Sequence, residues 1–370
     1  MTDWRVMRAG GTLFATVVGV GVFGLPYVFW QAGFVVGLTE LVALGFFELL
    51  LLLMYAEITI QTPGKRRLGG YIGYYLGPWG GRVSACALMF SMTGGLLAFT
   101  ILGGDFFFRL TGFPPFVGAL CVAVIGGLFT SRGLAVVSRV AVWAAALVVG
   151  LYLVLIVATL PAFHAGLLVA LPPSPKDILW PYGVILFALA GLAAIPEMHD
   201  ILGRQARLLS RVTIASYAAI VVLYALFSFA VAGASGSLTT PDTIGGLTGL
   251  VHPAILLLGT VLGFISVISI YTMVSMELID GLMIDVRLSR KVAWSLAAIA
   301  PIVLYVLGVR EFISVLGFVG SVLAGFIGVF VVLTYEKMKK TTGGMPSWVS
   351  YLTLAVFLFG VISGIVYHII

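Results

Sequence analysis

Charge is what this chain has least of. Of its 370 residues only 9% are Asp, Glu, Lys or Arg, whereas 61% are hydrophobic. A soluble domain carries about 25% charged residues, so a water-exposed globular surface is excluded. The mean hydropathy of +1.18 agrees. Cysteine is nearly absent: Cys86 and Cys121 both stand in apolar stretches and read as packing residues, not as a disulfide. The four histidines, His164, His199, His252 and His368, are scattered, and no cluster of His, Cys, Asp or Glu has metal-ligand spacing. That disfavours a metal transporter and leaves no metal expected beyond a bound Na+. No Gly-x-x-x-x-Gly-Lys-Ser/Thr loop is present, so there is no nucleotide-driven engine. Nothing has the form of a Ser/His/Asp hydrolase site, and the chain reads as a non-enzyme. The apolar run after Gly11 continues without a small-residue cleavage pattern, so no cleavable signal peptide is expected.

What the chain has instead is apolar length. A spanning helix needs about 20 apolar residues. Eleven stretches qualify, and the expected fold is an all-α polytopic membrane protein. They are Val6–Gln31, Phe34–Ile60, Arg82–Leu110, Phe116–Thr130, Val140–Pro161, Ile178–His199, Val212–Ala234, Pro253–Met283, Val292–Gly308, Phe312–Tyr335 and a last helix over 346–370. Gly69–Gly81, with Tyr71, Tyr74, Tyr75 and Trp79, reads as a short interfacial helix. Loops are expected at Gln61–Gly70, around Pro172, Pro173 and Pro175, at Ser235–His252 and at Lys337–Pro346.

The basic residues set the orientation. With the N-terminus in the cytoplasm and the helices alternating, 17 of the 20 Lys and Arg fall inside. Only Arg109, Lys176 and Arg310 fall outside. That asymmetry supports an inner-membrane protein with its C-terminus outside. It also explains the net charge of +6 as topology, with no nucleic-acid partner and with membrane lipid as the surround.

Two of the stretches are broken. Helix 1 contains Gly19-Val20-Gly21-Val22-Phe23-Gly24-Leu25-Pro26, and helix 6 contains Phe187-Ala188-Leu189-Ala190-Gly191, then Ile195-Pro196. In each a glycine precedes a proline by five positions. Glycine accepts backbone angles a helix cannot use, and proline fits the first turn of a restarted helix. Unwound backbone is tolerated at membrane depth only where it lines a site or is buried in protein. Helices 1 and 6 cross in opposite senses, so the chain reads as one transport domain built of two inverted five-helix repeats, 5–161 and 178–336, with helix 11 peripheral.

The Gly19–Tyr27 run, followed by Gln31-Ala32-Gly33, resembles the first helix of the amino acid/auxin permeases and of the bacterial aromatic amino acid permeases. Gly183–Gly191 with Ile195-Pro196-Glu197 resembles their sixth helix. Glu57 and Ser269–Gly281 are similar too. The resemblance implies the amino acid–polyamine–organocation superfamily, the LeuT-type inverted fold and cation-coupled uptake of amino acids.

A zwitterionic substrate needs a place for its carboxylate and one for its ammonium. The restarted half of a helix offers N–H groups and a positive dipole end, which suit a carboxylate. In helix 1 these are the amides near Gly21, Val22 and Phe23. The first half ends in carbonyls that suit an ammonium or Na+: those of Thr16, Val17 and Gly19, beside Val20, and those of Phe187, Ala188 and Ala190, beside Gly191. Phe23 and Phe187 are candidate gates or pocket walls, and Ser91 and Thr93 lie near mid-membrane. On helix 8, Ser266, Ser269, Thr272 and Ser275 recur every three residues, a candidate oxygen cage. In the resembling permeases a hydroxyl here supports a sodium site, and Ser269 is the nearest match. Glu48, midway along helix 2, is the candidate proton carrier, since a carboxyl at that depth needs a reason. Glu57, Glu197, Asp200, Glu277 and Asp280 read as inner gate or interfacial charges. Helix 5 has no lysine to replace a cation. The driving ion stays open between Na+ and H+, and Na+ is the one cofactor candidate. The rival reading is an amino-acid-sensing receptor of the germinant-receptor kind on the same fold. Neither the substrate's identity nor the oligomeric state is legible.

Overall fold

The computed structural model describes residues 2–131, 134–168 and 175–369. Its helices, in chain order, are α1 (Thr2–Val17), α2 (Leu25–Ala32), α3 (Phe34–Gln61), α4 (Leu68–Thr111), α5 (Pro115–Ser131), α6 (Leu134–Thr159), α7 (Pro175–Leu189), α8 (Ala194–Leu202), α9 (Leu209–Ser235), α10 (Pro253–Ile284), α11 (Arg290–Val306), α12 (Phe312–Phe318), α13 (Gly325–Thr342) and α14 (Ser347–Ile369). Among the described residues seven spans are long and apolar enough to cross a bilayer, and the bent pair α1–α2 makes an eighth. The remaining expected spans are α5 and α11, each of 17 residues, and α6. Seventeen is the short end of what a bilayer core accepts.

Each span shows two faces. On α3, Val35, Val42 and Phe46 are exposed, while Leu41, Leu44 and Leu51 are buried. The exposed side faces where lipid would lie, and the buried side packs on α7 and α9. α10 packs against α4, α5 and α6.

Four local features differ from expectation. The first break lies at Val18 and Gly19, not at Gly21: Gly19 is extended (φ −122°, ψ −163°), and Val20–Gly24 winds as a 3-10 turn into α2. The reason is that side-chain partners, described below, reach Val17 and Gly19 and let the helical ladder open there. Interfacial and spanning parts of α4 join at Gly77 (φ +83°), so the span begins at Pro78 rather than Arg82. α13 continues to Thr342, which shortens the expected Lys337–Pro346 loop. Between α12 and α13 the chain makes a π-helical turn over Val319–Ala324 that the sequence reading did not foresee. This turn lies backbone to backbone against α7. A Cβ on Gly183 would run into the Gly317 carbonyl, and one on Gly320 into the Gly183 carbonyl. Pro172 and Pro173 lie outside the described residues, while Pro175 opens α7.

Candidate functional site

The two breaks meet at the centre of the bundle. A Cβ on Gly21 would stand 3.1 Å from the Phe187 ring and 3.3 Å from the Ala188 Cα. One on Gly191 would stand 2.8 Å from the Val17 side chain. The first break bends its span by 47°. At the second, Ala190 and Gly191 leave the helix, Leu192 and Ala193 turn, and α8 resumes at Ala194 with Pro196 in its first turn.

A cavity of about 430 Å³ runs from this junction to the face that carries Lys65, Arg66, Arg67 and the N-terminal helix. At its deep end are Thr16, Glu48, Ala190, Leu192, Ala193 and Pro196. Its walls are apolar, with Leu51, Tyr55, Leu88, Met89 and Met92, and Ser91 among them. Its mouth carries Arg66, Arg67, Glu197, Asp200, Glu277 and Asp285. Lys65 pairs with Asp200 at 2.7 Å and Arg67 with Asp280 at 3.2 Å. Arg67 also donates to the Glu277 carbonyl at 3.2 Å. At the mouth, burial pushes the Asp285 carboxyl above the ordinary range, and the Arg67 charge pulls it back. Glu57 stands apart, accepting from the Tyr335 hydroxyl at 2.7 Å.

Glu48 is the deepest ionisable group in the cavity wall. It is 3% exposed. The backbone N–H of Gly191 faces this carboxyl and favours its charged form. A helix-borne carboxyl thus stands beside backbone that the break leaves outside both helices.

Three tyrosine hydroxyls take the carbonyls that the breaks set free. Tyr152 on α6 donates to Gly19 at 2.6 Å. Tyr224 on α9 donates to Val17 at 2.8 Å and lies 3.2 Å from the Ala188 carbonyl, so one oxygen touches both breaks. The Gly19 N–H donates to the same Val17 carbonyl at 2.8 Å. Tyr217, two turns earlier, donates to Leu189 at 3.2 Å. All three side chains are fully buried. In a dry interior an unpartnered carbonyl costs about 1–3 kcal/mol, so these hydroxyls hold the unwound chain in place.

Toward the opposite face the first break is covered by packed rings, beside a second cavity of about 600 Å³ lined by Thr93, Leu97, Arg310, Glu311 and Ser314. Phe23 is fully buried and sits edge-on to Phe106 and Tyr152, both at 5.5 Å, and to Phe227 at 6.3 Å. The Thr243 hydroxyl donates to the Phe23 carbonyl at 2.5 Å. Thr243 holds φ +63°, a rare angle for a β-branched residue. Beside it Arg109 pairs with Asp242 at 2.6 Å, and that carboxylate is 6% exposed.

Of the expected site residues, the cavity gathers Thr16, Ser91, Ala190 and Glu48. Gly191 joins them through its N–H. Gly21, Val22 and Phe23 are buried and do not line the cavity. Val17, Gly19 and Ala188 have their carbonyls taken by tyrosine. Val20 is buried in the 3-10 turn. Phe187 lies over Gly21 and against Phe99 at 6.3 Å. Ser266, Ser269 and Thr272 each donate to the carbonyl four residues back on their own helix, at 2.6, 2.9 and 2.7 Å. Thr93 does likewise to Met89. The tyrosines were missed. A phenol midway along an apolar span was the signal, because its hydroxyl needs a partner there.

No protein-family model matches the chain, and no curated protein sequence matches it. Solved structures do. MhsT in complex with L-phenylalanine superposes with a TM-score of 0.69 at 15% identity, over 98% of both chains. A manganese transporter from Eremococcus coleocola gives 0.69 at 14% identity, over 98% of this chain and 86% of its own. Mhp1, a nucleobase-cation-symport-1 family transporter closed on bromovinylhydantoin, gives 0.65 at 14%, over 98% and 90%. With two broken spans meeting at its centre, the chain is a polytopic membrane protein with the LeuT-type fold of these transporters.

Proposed function

We propose that this chain is a secondary active transporter that imports a small amino acid by alternating access, driven by a proton gradient through Glu48. One observation carries the reading. A cavity reaches the junction of the breaks from one face, while Phe23, Thr243 and the Arg109–Asp242 pair cover the first break toward the other. That is what a transporter open to one side looks like. On the charge asymmetry of its loops, the open side is cytoplasmic.

The chemistry follows from Gly191. Its N–H and the first turn of α8 favour an anion, and Glu48 fills that role here. A proton on Glu48 removes the charge that the amide faces and weakens their attraction, since interactions of an amide with a charged acceptor are about twice as strong as with a neutral one. The amide is then free for a substrate carboxylate. Proton and substrate therefore favour one another at this point, and the coupling is reciprocal. The groups around Glu48 are the phenols of Tyr182 on α7 and Tyr217 on α9, with Glu197 and Glu277 further down the cavity. Leucine, methionine and tyrosine walls fit an apolar side chain, and methionine adapts to several shapes.

Counterflow in proteoliposomes tests this. Vesicles loaded with one unlabelled apolar amino acid should draw in the same labelled compound above equilibrium. Saturable binding with no exchange by any of the twenty standard amino acids would favour a receptor and end the transport reading.

A further inference from the structure

The fold and the resemblance both suggest a Na+ at the first break, held by carbonyls of α1 and hydroxyls of α10. The residues present do not fit one. Such an ion needs several oxygens free to converge on it. The Val17 and Gly19 carbonyls already receive phenol hydroxyls at 2.8 and 2.6 Å, and the rings of Tyr224 and Tyr152 fill the space in front of them. The α10 hydroxyls are turned into their own helix. What α10 presents to Gly19 is the Ile270 methyl, 3.3 Å from where a Cβ would stand.

We infer that the Tyr224 hydroxyl, supported by Tyr152, is a built-in neutral stand-in for a monovalent cation at the junction of the two broken helices. A cation placed between facing carbonyls draws two pieces of backbone together. One phenol oxygen does the same here, bonded to Val17 at 2.8 Å and to Ala188 at 3.2 Å. Because the phenol is covalently part of α9, the link persists through a transport cycle. The two breaks then move as a unit without any ion binding or leaving. The inference deepens the proposed function, in that it removes Na+ from the coupling and leaves the carboxyl of Glu48.

The test uses the purified full-length protein and needs no transport. Thermal unfolding is compared in sodium, lithium and choline chloride at equal ionic strength. A bound ion raises the midpoint with its concentration. The inference expects the same midpoint in all three salts. A saturable rise specific to Na+ or Li+ in the wild-type protein would overturn it. Tyr224→Phe keeps the ring and removes the oxygen, uncovering the Val17 and Ala188 carbonyls. That variant should unfold at a lower midpoint and regain part of it in Na+ or Li+ but not in choline. A folded Tyr224→Phe with no cation response would refute the stand-in role. If that variant does not fold, Tyr152→Phe, which uncovers Gly19 alone, is read in the same way. Failure of amino acid exchange alongside cation-insensitive stability would sink the transport reading and leave this inference standing.

Discussion

Glu48 on α3 and Gly191 at the second break face one another, the buried carboxyl lying in the field of the glycine amide. This placement sets a buried carboxyl of the cavity wall beside the backbone that the break exposes. An anion at that amide is either the side chain or a solute, and the consequences are measurable.

Glu48→Gln keeps the shape and an acceptor but cannot carry a proton. The variant should fold and should still exchange substrate down its gradient. It should lose the acceleration that an imposed pH gradient gives the wild type, and its uptake should vary little with pH. Wild-type pH dependence in Glu48→Gln, read as initial rates across external pH, would remove Glu48 from the coupling.

Gly21→Leu should abolish uptake while leaving membrane expression in place. Its side chain would run into the Phe187 ring and the Ala188 backbone, where the two breaks touch. Overpacking of this kind costs about 1–3 kcal/mol, enough to distort the junction without unfolding a protein of this size. Gly183→Ala should be worse for stability, since its Cβ meets the Gly317 carbonyl and neither backbone has room to yield. Uptake and melting midpoints of the two variants separate the effects.

One-sided access can be read by labelling. With Cys86 and Cys121 replaced by Ser, Ser91→Cys and Ala193→Cys line the cavity and should react with an impermeant thiol reagent from the basic face only. Val22→Cys is fully buried and should stay unreactive from both sides. Reaction of Ser91→Cys from the opposite face alone would reverse the assigned direction of opening.

The two ion pairs should respond differently. Lys65 and Asp200 are 84% and 44% exposed, so Lys65→Ala should change stability by less than about 1 kcal/mol. Asp242 is 6% exposed and relies on Arg109 and on the Thr240 hydroxyl. Arg109→Ala leaves that buried carboxylate short of a partner and should cost about 2 kcal/mol, within the range for broken buried pairs after allowing for the exposed arginine. It should also loosen the closed face, seen as labelling of Val22→Cys from that side. Equal melting midpoints for Lys65→Ala and Arg109→Ala would contradict this assignment.

Much of the fold was legible because membrane physics is severe. Apolar length gave the spans, and glycine with proline gave both broken helices. Pro26 and Pro196 sit in the first turns of the restarted helices, as their lack of an N–H demands. The site was only half legible. Sequence marks where backbone hydrogen bonds are lost, but it does not say which side chain answers for them. Gly21 drew attention as the glycine before the proline, yet the ladder opens at Gly19 because Tyr152 and Tyr224 reach it. Those partners lie far along the chain, so no local pattern foretells them. The π turn at Val319–Ala324 was hidden for a related reason: it depends on close approach of Gly183, which is remote in sequence.

The most direct measurement is uptake of a labelled apolar amino acid into proteoliposomes under two separately imposed gradients. The account predicts accumulation driven by an inward proton gradient, abolished by an uncoupler, and unchanged when Na+ is replaced by choline. Accumulation that requires an inward Na+ gradient, with no response to the proton gradient, would contradict it.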